Sequence, residues 1–118
     1  MNLNELEQKI FKIKTQTEFK QIALQVFNHQ YQHNEIYNKF CNLLEKRPKS
    51  VKEIQDIPFI PISFFKSQTV KTGSFIEQKI FTSSGTSGTE TSKHYVKSLK
   101  LYETSFLKAF DVYYPDWK

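Results

Sequence analysis

The sequence predicts an α+β fold: N-terminal helices, then a few mostly antiparallel strands carrying a Ser/Thr/Gly loop, then a closing helix. Three observations predict it. Before Pro48, apolar residues recur at steps of three and four. No glycine or proline interrupts that stretch. After Pro48 the helical period is lost, and prolines and hydroxyl residues punctuate short apolar runs. At 118 residues the chain fits one small unit, with 1–47 as a helical lead-in and 48–118 as a strand and loop segment.

The elements follow in order. Asn4 with Glu7 three residues on forms a capping-box pattern, and Leu6, Ile10 and Ile13 follow at helical spacing. Thr17 is positioned to cap a second helix whose stripe is Phe19, Ile22, Ala23, Val26, Phe27 and Tyr31. Asn34 starts a third, with Tyr37, Phe40, Cys41 and Leu44 on one face. A short helical turn after Ser50 uses Val51 and Ile54. Ile57–Phe65 holds two prolines, which exclude a helix interior and predict extended backbone. Ser67–Lys71 and Phe75–Thr82 read as strands of a hairpin around the turn signal Thr72-Gly73-Ser74. His94–Val96 reads as a further strand. Ser98 caps a last helix with Leu99, Tyr102, Phe106 and Phe110 on one face.

Composition removes several function classes. Eleven Phe, six Tyr and one Trp supply a core, which argues against wholesale disorder. No apolar run reaches the ~20 residues of a bilayer span, so no membrane span is expected. The first residues carry neither a basic nor an apolar leader segment, and the single Cys41 cannot form an internal disulfide; a reducing, cytoplasmic setting is expected. The net charge is +5, but 16 of the 17 basic residues are lysines scattered along the chain and Arg47 is the sole arginine. Nucleic-acid recognition leans on arginine forks and clustered charge, so no nucleic acid is expected.

The informative segment is Phe81–His94. Positions 83–89 read Ser-Ser-Gly-Thr-Ser-Gly-Thr, and two of the three glycines in the chain lie there. Small residues let main-chain N–H groups approach an anion, glycine allows the turns that aim successive N–H groups inward, and hydroxyls add donors. The spacing is neither that of a Walker loop nor that of a dinucleotide fingerprint. On composition alone, a flexible linker and a phosphate cradle spanning 82–93 weigh equally. Elsewhere, His29 and His33 lie four apart without an evident third ligand and read as surface histidines; no metal site is expected. Cys41 reads as buried structure, and His94 as either a ligand contact or a strand-face residue. No catalytic side chain is singled out.

Ser83-Ser84-Gly85-Thr86-Ser87-Gly88 resembles the signature loop of the adenylate-forming enzymes, the acyl- and aryl-CoA synthetase superfamily. Lys79–Gly88, the following Ser92–Val96, and the upstream Ile57–Ile62 with Phe64-Phe65-Lys66 are similar to the acyl-protein synthetases of bacterial bioluminescence, the long-chain-fatty-acid–protein ligases. The lead-in around Tyr31, Asn34, Tyr37 and Phe40 shares that similarity. The resemblance implies a partial large domain of an adenylate-forming enzyme that uses ATP and Mg²⁺ to activate a fatty or other carboxylic acid, and passes the acyl group to a cysteine and on to a protein partner. It implies that Ser83, Ser84, Gly85, Thr86, Ser87 and Gly88 hold the pyrophosphate end of the nucleotide, with Thr89 and Lys93 beside them. The superfamily's Pro-Lys after the last loop glycine is replaced here by Glu90 and Thr91. Segments for adenine and ribose and a late cysteine have no counterpart, so the chain is expected to be an N-terminal portion, inactive alone. The alternative expectation is a non-enzymatic helical interaction domain with a flexible Ser/Thr-rich loop.

Overall fold

A computed structural model describes residues 3–83 and 91–116. Its described elements are the helices α1 (Leu3–Ile10), α2 (Gln16–His33) and α3 (Glu35–Leu43), a 3-10 turn (Ile54–Asp56), the short α4 (Phe64–Ser67), strands β1 (Lys79–Thr82) and β2 (Lys93–Val96), and α5 (Leu99–Tyr113). The α+β expectation holds, with a two-stranded antiparallel sheet.

Asn34 makes the α2–α3 corner without a glycine or proline. Its backbone is extended, its N–H closes α2 on the Gln30 carbonyl, and its side chain accepts the Tyr37 N–H to open α3. One residue thus satisfies orphan groups at two helix ends. Helix α3 ends on Glu45 at φ 59°, with Lys46 N–H bonded to the Cys41 carbonyl and Glu45 N–H to that of Asn42. That is the pattern glycine usually completes.

The core lies where α2, α3 and the following loop meet. Phe27, Tyr37, Cys41 and Val51 are buried together, with Leu24, Tyr31, Ile57 and Ile60 packed around them. Phe27 and Tyr37 meet edge to face at 6.1 Å. The cluster draws residues from both sides of Pro48, so the change of period there does not divide the packing.

Five local expectations need correction. Asn4 lies within α1 and does not cap it. The cap of α2 is Thr15, which accepts the Glu18 N–H, and not Thr17. Phe64 and Phe65 open α4 rather than continuing extended backbone, since both prolines precede them. Ser67–Lys71 forms no strand and no hairpin with the residues after Gly73. The turn is instead held to the end of α2, by Gly73 N–H on the His33 carbonyl and the Asn34 amide on Thr72 Oγ1. Phe75–Gln78 stays outside β1 because its partner strand turns into α5 after Val96, leaving Gln78 N–H to Val96 O at 2.8 Å as the last rung.

Candidate functional site

β1 and β2 pair Lys79 with Val96, Ile80 with Tyr95, Phe81 with His94 and Thr82 with Lys93. The ladder runs one step further. Ser83 N–H donates to the Ser92 carbonyl at 3.1 Å, and Ser92 N–H donates to Ser83 Oγ at 3.0 Å. Ser92 is 5% exposed, a buried polar residue in a region with little other burial. The two serines therefore form a closed neck, with residues 84–90 between them in sequence.

Of the residues expected to hold phosphate, Ser83 and Lys93 lie at this neck and are exposed. Ser84, Gly85, Thr86, Ser87, Gly88 and Thr89 lie outside the described residues. Sequence reasoning passed over Ser92 as a site residue. The signal was available in the hairpin register: pairing Thr82 with Lys93 sets Ser83 opposite Ser92.

The hairpin is braced on both sides. His94 stacks on Phe65 of α4 at 4.5 Å between ring centroids, and its Nε2 lies 3.3 Å from Ser92 Oγ. Phe81 packs on Tyr102 of α5 at 5.0 Å. Gln78 Oε1 accepts the Leu99 N–H while Ser98 Oγ accepts that of Leu101, so β1 and the cap together hold the start of α5. Below the sheet, Lys71 Nζ is 2.7 Å from Glu77 Oε2 and lies near the faces of Phe75 and Tyr95. The Lys71 hydrogen bond lowers the Glu77 carboxyl below its ordinary range.

This arrangement suits anion binding better than proton transfer. It presents hydroxyls and a lysine at the end of the strand pair, and among the described residues no nucleophile–base pair. Cys41 is fully buried among apolar side chains, and burial raises its thiol pKa; it is not a thiolate nucleophile. His29 and His33 sit 4.6 Å apart by ring centroid, and burial, with His33 alongside, lowers the His29 pKa. Among the described residues no three His, Cys, Asp or Glu side chains converge to hold a metal.

A profile of the family described as acyl-protein synthetase, LuxE, matches residues 8–102, most of the chain. The chain belongs to the LuxE acyl-protein synthetase family. The LuxE match takes in the whole hairpin, its neck and the start of α5. Over 70 residues the chain is 39% identical to a Photorhabdus luminescens protein named long-chain-fatty-acid–luciferin-component ligase. That stretch is 58% of this chain and 60% of the relative's length, so the chain spans less than two thirds of the relative it matches. No solved structure matches this LuxE chain. Among the described residues no helix is long and apolar enough to cross a membrane.

Proposed function

We propose that the chain serves in ATP-dependent activation of a long-chain fatty acid, the loop above the Ser83–Ser92 neck holding the pyrophosphate end of the nucleotide. The observation that carries this reading is the neck itself: a Ser/Thr/Gly stretch held between two paired strands, in a chain of the LuxE family. The relative's name supplies the fatty acid as substrate class.

In the proposed reaction a carboxylate oxygen attacks the α-phosphorus of ATP. The bond from the α-phosphorus to the bridging oxygen breaks, and pyrophosphate leaves with its electron pair. The products are acyl-adenylate and pyrophosphate. No general base is required, because the carboxylate is already ionised. The loop's task is to offer fixed N–H and O–H donors to the departing oxyanion, where charge builds up. Lys93, next to the neck, adds a positive charge. In the second step a cysteine thiolate attacks the acyl carbon and AMP leaves, giving a thioester for an acyl-accepting protein. Cys41 is unsuited to that role by its burial, so the acceptor thiol is another one. The described residues offer no carboxylate cluster for Mg²⁺.

Calorimetric titration tests the reading. Pyrophosphate and ATP are expected to bind the chain saturably, and Lys93→Ala and Ser83→Ala each to weaken binding several-fold, in keeping with loss of about 1 kcal/mol per hydrogen bond or exposed charge. Absence of saturable binding contradicts it. Exchange of labelled pyrophosphate into ATP by this chain alone, with tetradecanoate present, would contradict the expectation that catalysis needs further segments. The alternative, a non-enzymatic interaction domain, rests on the apolar residues α5 leaves exposed, among them Phe106, Leu107 and Phe110. It gains support if the loop ignores both anions.

A further inference from the structure

A cavity of about 540 Å³ lies between α1, α2 and the segment from Ile54 to Val70. That volume is within the ~300–1,000 Å³ typical of small-molecule sites. Its walls include Ile10, Ile22, Ala23, Val26, Phe27 and Phe65. Few polar residues reach it, and those are engaged elsewhere. Tyr37 Oη donates to the Pro58 carbonyl at 2.7 Å, and the Asn34 amide donates to Gln30 Oε1 and Thr72 Oγ1. Apolar side chains make up most of the lining, so the space suits hydrocarbon. Phe59 lines it yet is 83% exposed, which marks an open edge.

A second cavity of about 440 Å³ shares Ile10, Val26, Phe65 and Val70 with the first. Its own lining adds His29, Lys71, Tyr95 and Lys97. The two together make one path with an apolar end and a charged end, where Lys97 and Lys71, itself paired with Glu77, stand with the carboxylate of Glu7. Phe65 ties the path to the hairpin, because it lines both cavities and stacks on His94 of β2.

We infer that this path is the seat of a free long-chain fatty acid, the alkyl tail among Ile22, Ala23, Val26 and Phe27 and the carboxylate toward Lys97. The inference rests on the proposed function for the substrate class and adds where the acyl chain lies. An apolar slot binds in proportion to the methylenes it covers, so affinity is expected to climb roughly fourfold per CH₂ until the slot is full.

The test uses the 118-residue chain with octanoate, decanoate and tetradecanoate in calorimetry, with the thermal midpoint as a second readout, since a ligand that binds only the folded state raises it. Affinity rising with chain length supports the proposal. So does at least tenfold weaker tetradecanoate binding in Ala23→Phe with the midpoint retained. Lys97→Gln is expected to weaken tetradecanoate several-fold and to leave its methyl ester unchanged, which separates the head from the tail. Absence of saturable binding, affinity independent of chain length, or full binding by folded Ala23→Phe overturns the inference. So does concentration-dependent dimerisation abolished by Ala23→Phe without fatty-acid uptake, which would make this face a contact between copies. Pyrophosphate titrated into the same samples keeps the two readings apart: tetradecanoate binding without a pyrophosphate response removes the loop's role alone, and the reverse removes this inference alone.

Discussion

The two halves of the molecule solve burial differently. The six buried hydrophobic residues among those described, Leu6, Ile22, Phe27, Tyr37, Cys41 and Val51, all precede residue 52. Beyond that point the one buried residue among those described is polar, Ser92 at the end of the strand pair. Helix α5 buries no residue fully, although its Tyr102, Phe106 and Phe110 are as bulky as anything in α2. The difference shows that an apolar stripe is only half of a core: α2 has α3 and the Val51–Ile60 segment to pack on, whereas α5 touches the small sheet mainly through Tyr102 on Phe81. Burial is concentrated in the first half, and the proposed pyrophosphate loop lies in the second.

That contrast can be broken by mutation. The largest effect is expected for Phe27→Ala, which empties the centre of the buried cluster and is predicted to cost about 3–5 kcal/mol in chemical denaturation. Asn34→Ala comes next. It removes the side-chain cap of α3 and leaves the buried Tyr37 N–H unpaired, for a loss of about 1–2 kcal/mol. Glu45→Gly is expected to run the other way, raising stability by up to about 1 kcal/mol, because φ 59° is a left-handed conformation that glycine adopts without the cost a Cβ brings. The smallest effect is expected for Phe106→Ser on α5, within about 0.5 kcal/mol, since its side chain is half exposed already. A loss comparable to that of Phe27→Ala would end the comparison.

Proton linkage sharpens the same contrast. Burial raises the Cys41 thiol pKa in the folded chain, and burial likewise raises that of the Tyr37 phenol. Above the ordinary thiol range near ~8.5 the unfolded chain releases the Cys41 proton while the folded chain keeps it. The stabilising contribution is therefore complete below that pH and declines as pH rises toward the folded value. Urea midpoints measured from neutral pH upward should fall, and should fall less steeply in a Cys41→Ala variant. Equal slopes in the two proteins would contradict the assignment.

How much of this was legible in the sequence follows the same division. Asn34 and Ser98 were readable as caps because capping is local chemistry, and the three N-terminal helices followed from spacing alone. Thr15 and Thr17 offer the same hydroxyl two residues apart, and only the entry of the chain into α2 selects between them. The strand expected over Ser67–Lys71 failed for a nonlocal reason: Thr72 and Gly73 bond to residues some 40 positions earlier, at the end of α2. Ser83 and Lys93 were legible as a motif, whereas the closing role of Ser92 required the register of two strands. The cavity between α1, α2 and the segment from Ile54 to Val70 was not legible, because the residues that line it read as ordinary core until separate elements are assembled around it.

The central claim is that backbone donors above the Ser83–Ser92 neck receive the pyrophosphate end of a nucleotide. Residue-resolved amide NMR during a pyrophosphate titration tests it most directly. The account predicts saturable shifts concentrated in residues 83–93, with α2 and α3 amides unmoved. Shifts spread evenly over surface lysines, or none at all between 83 and 93, would contradict it.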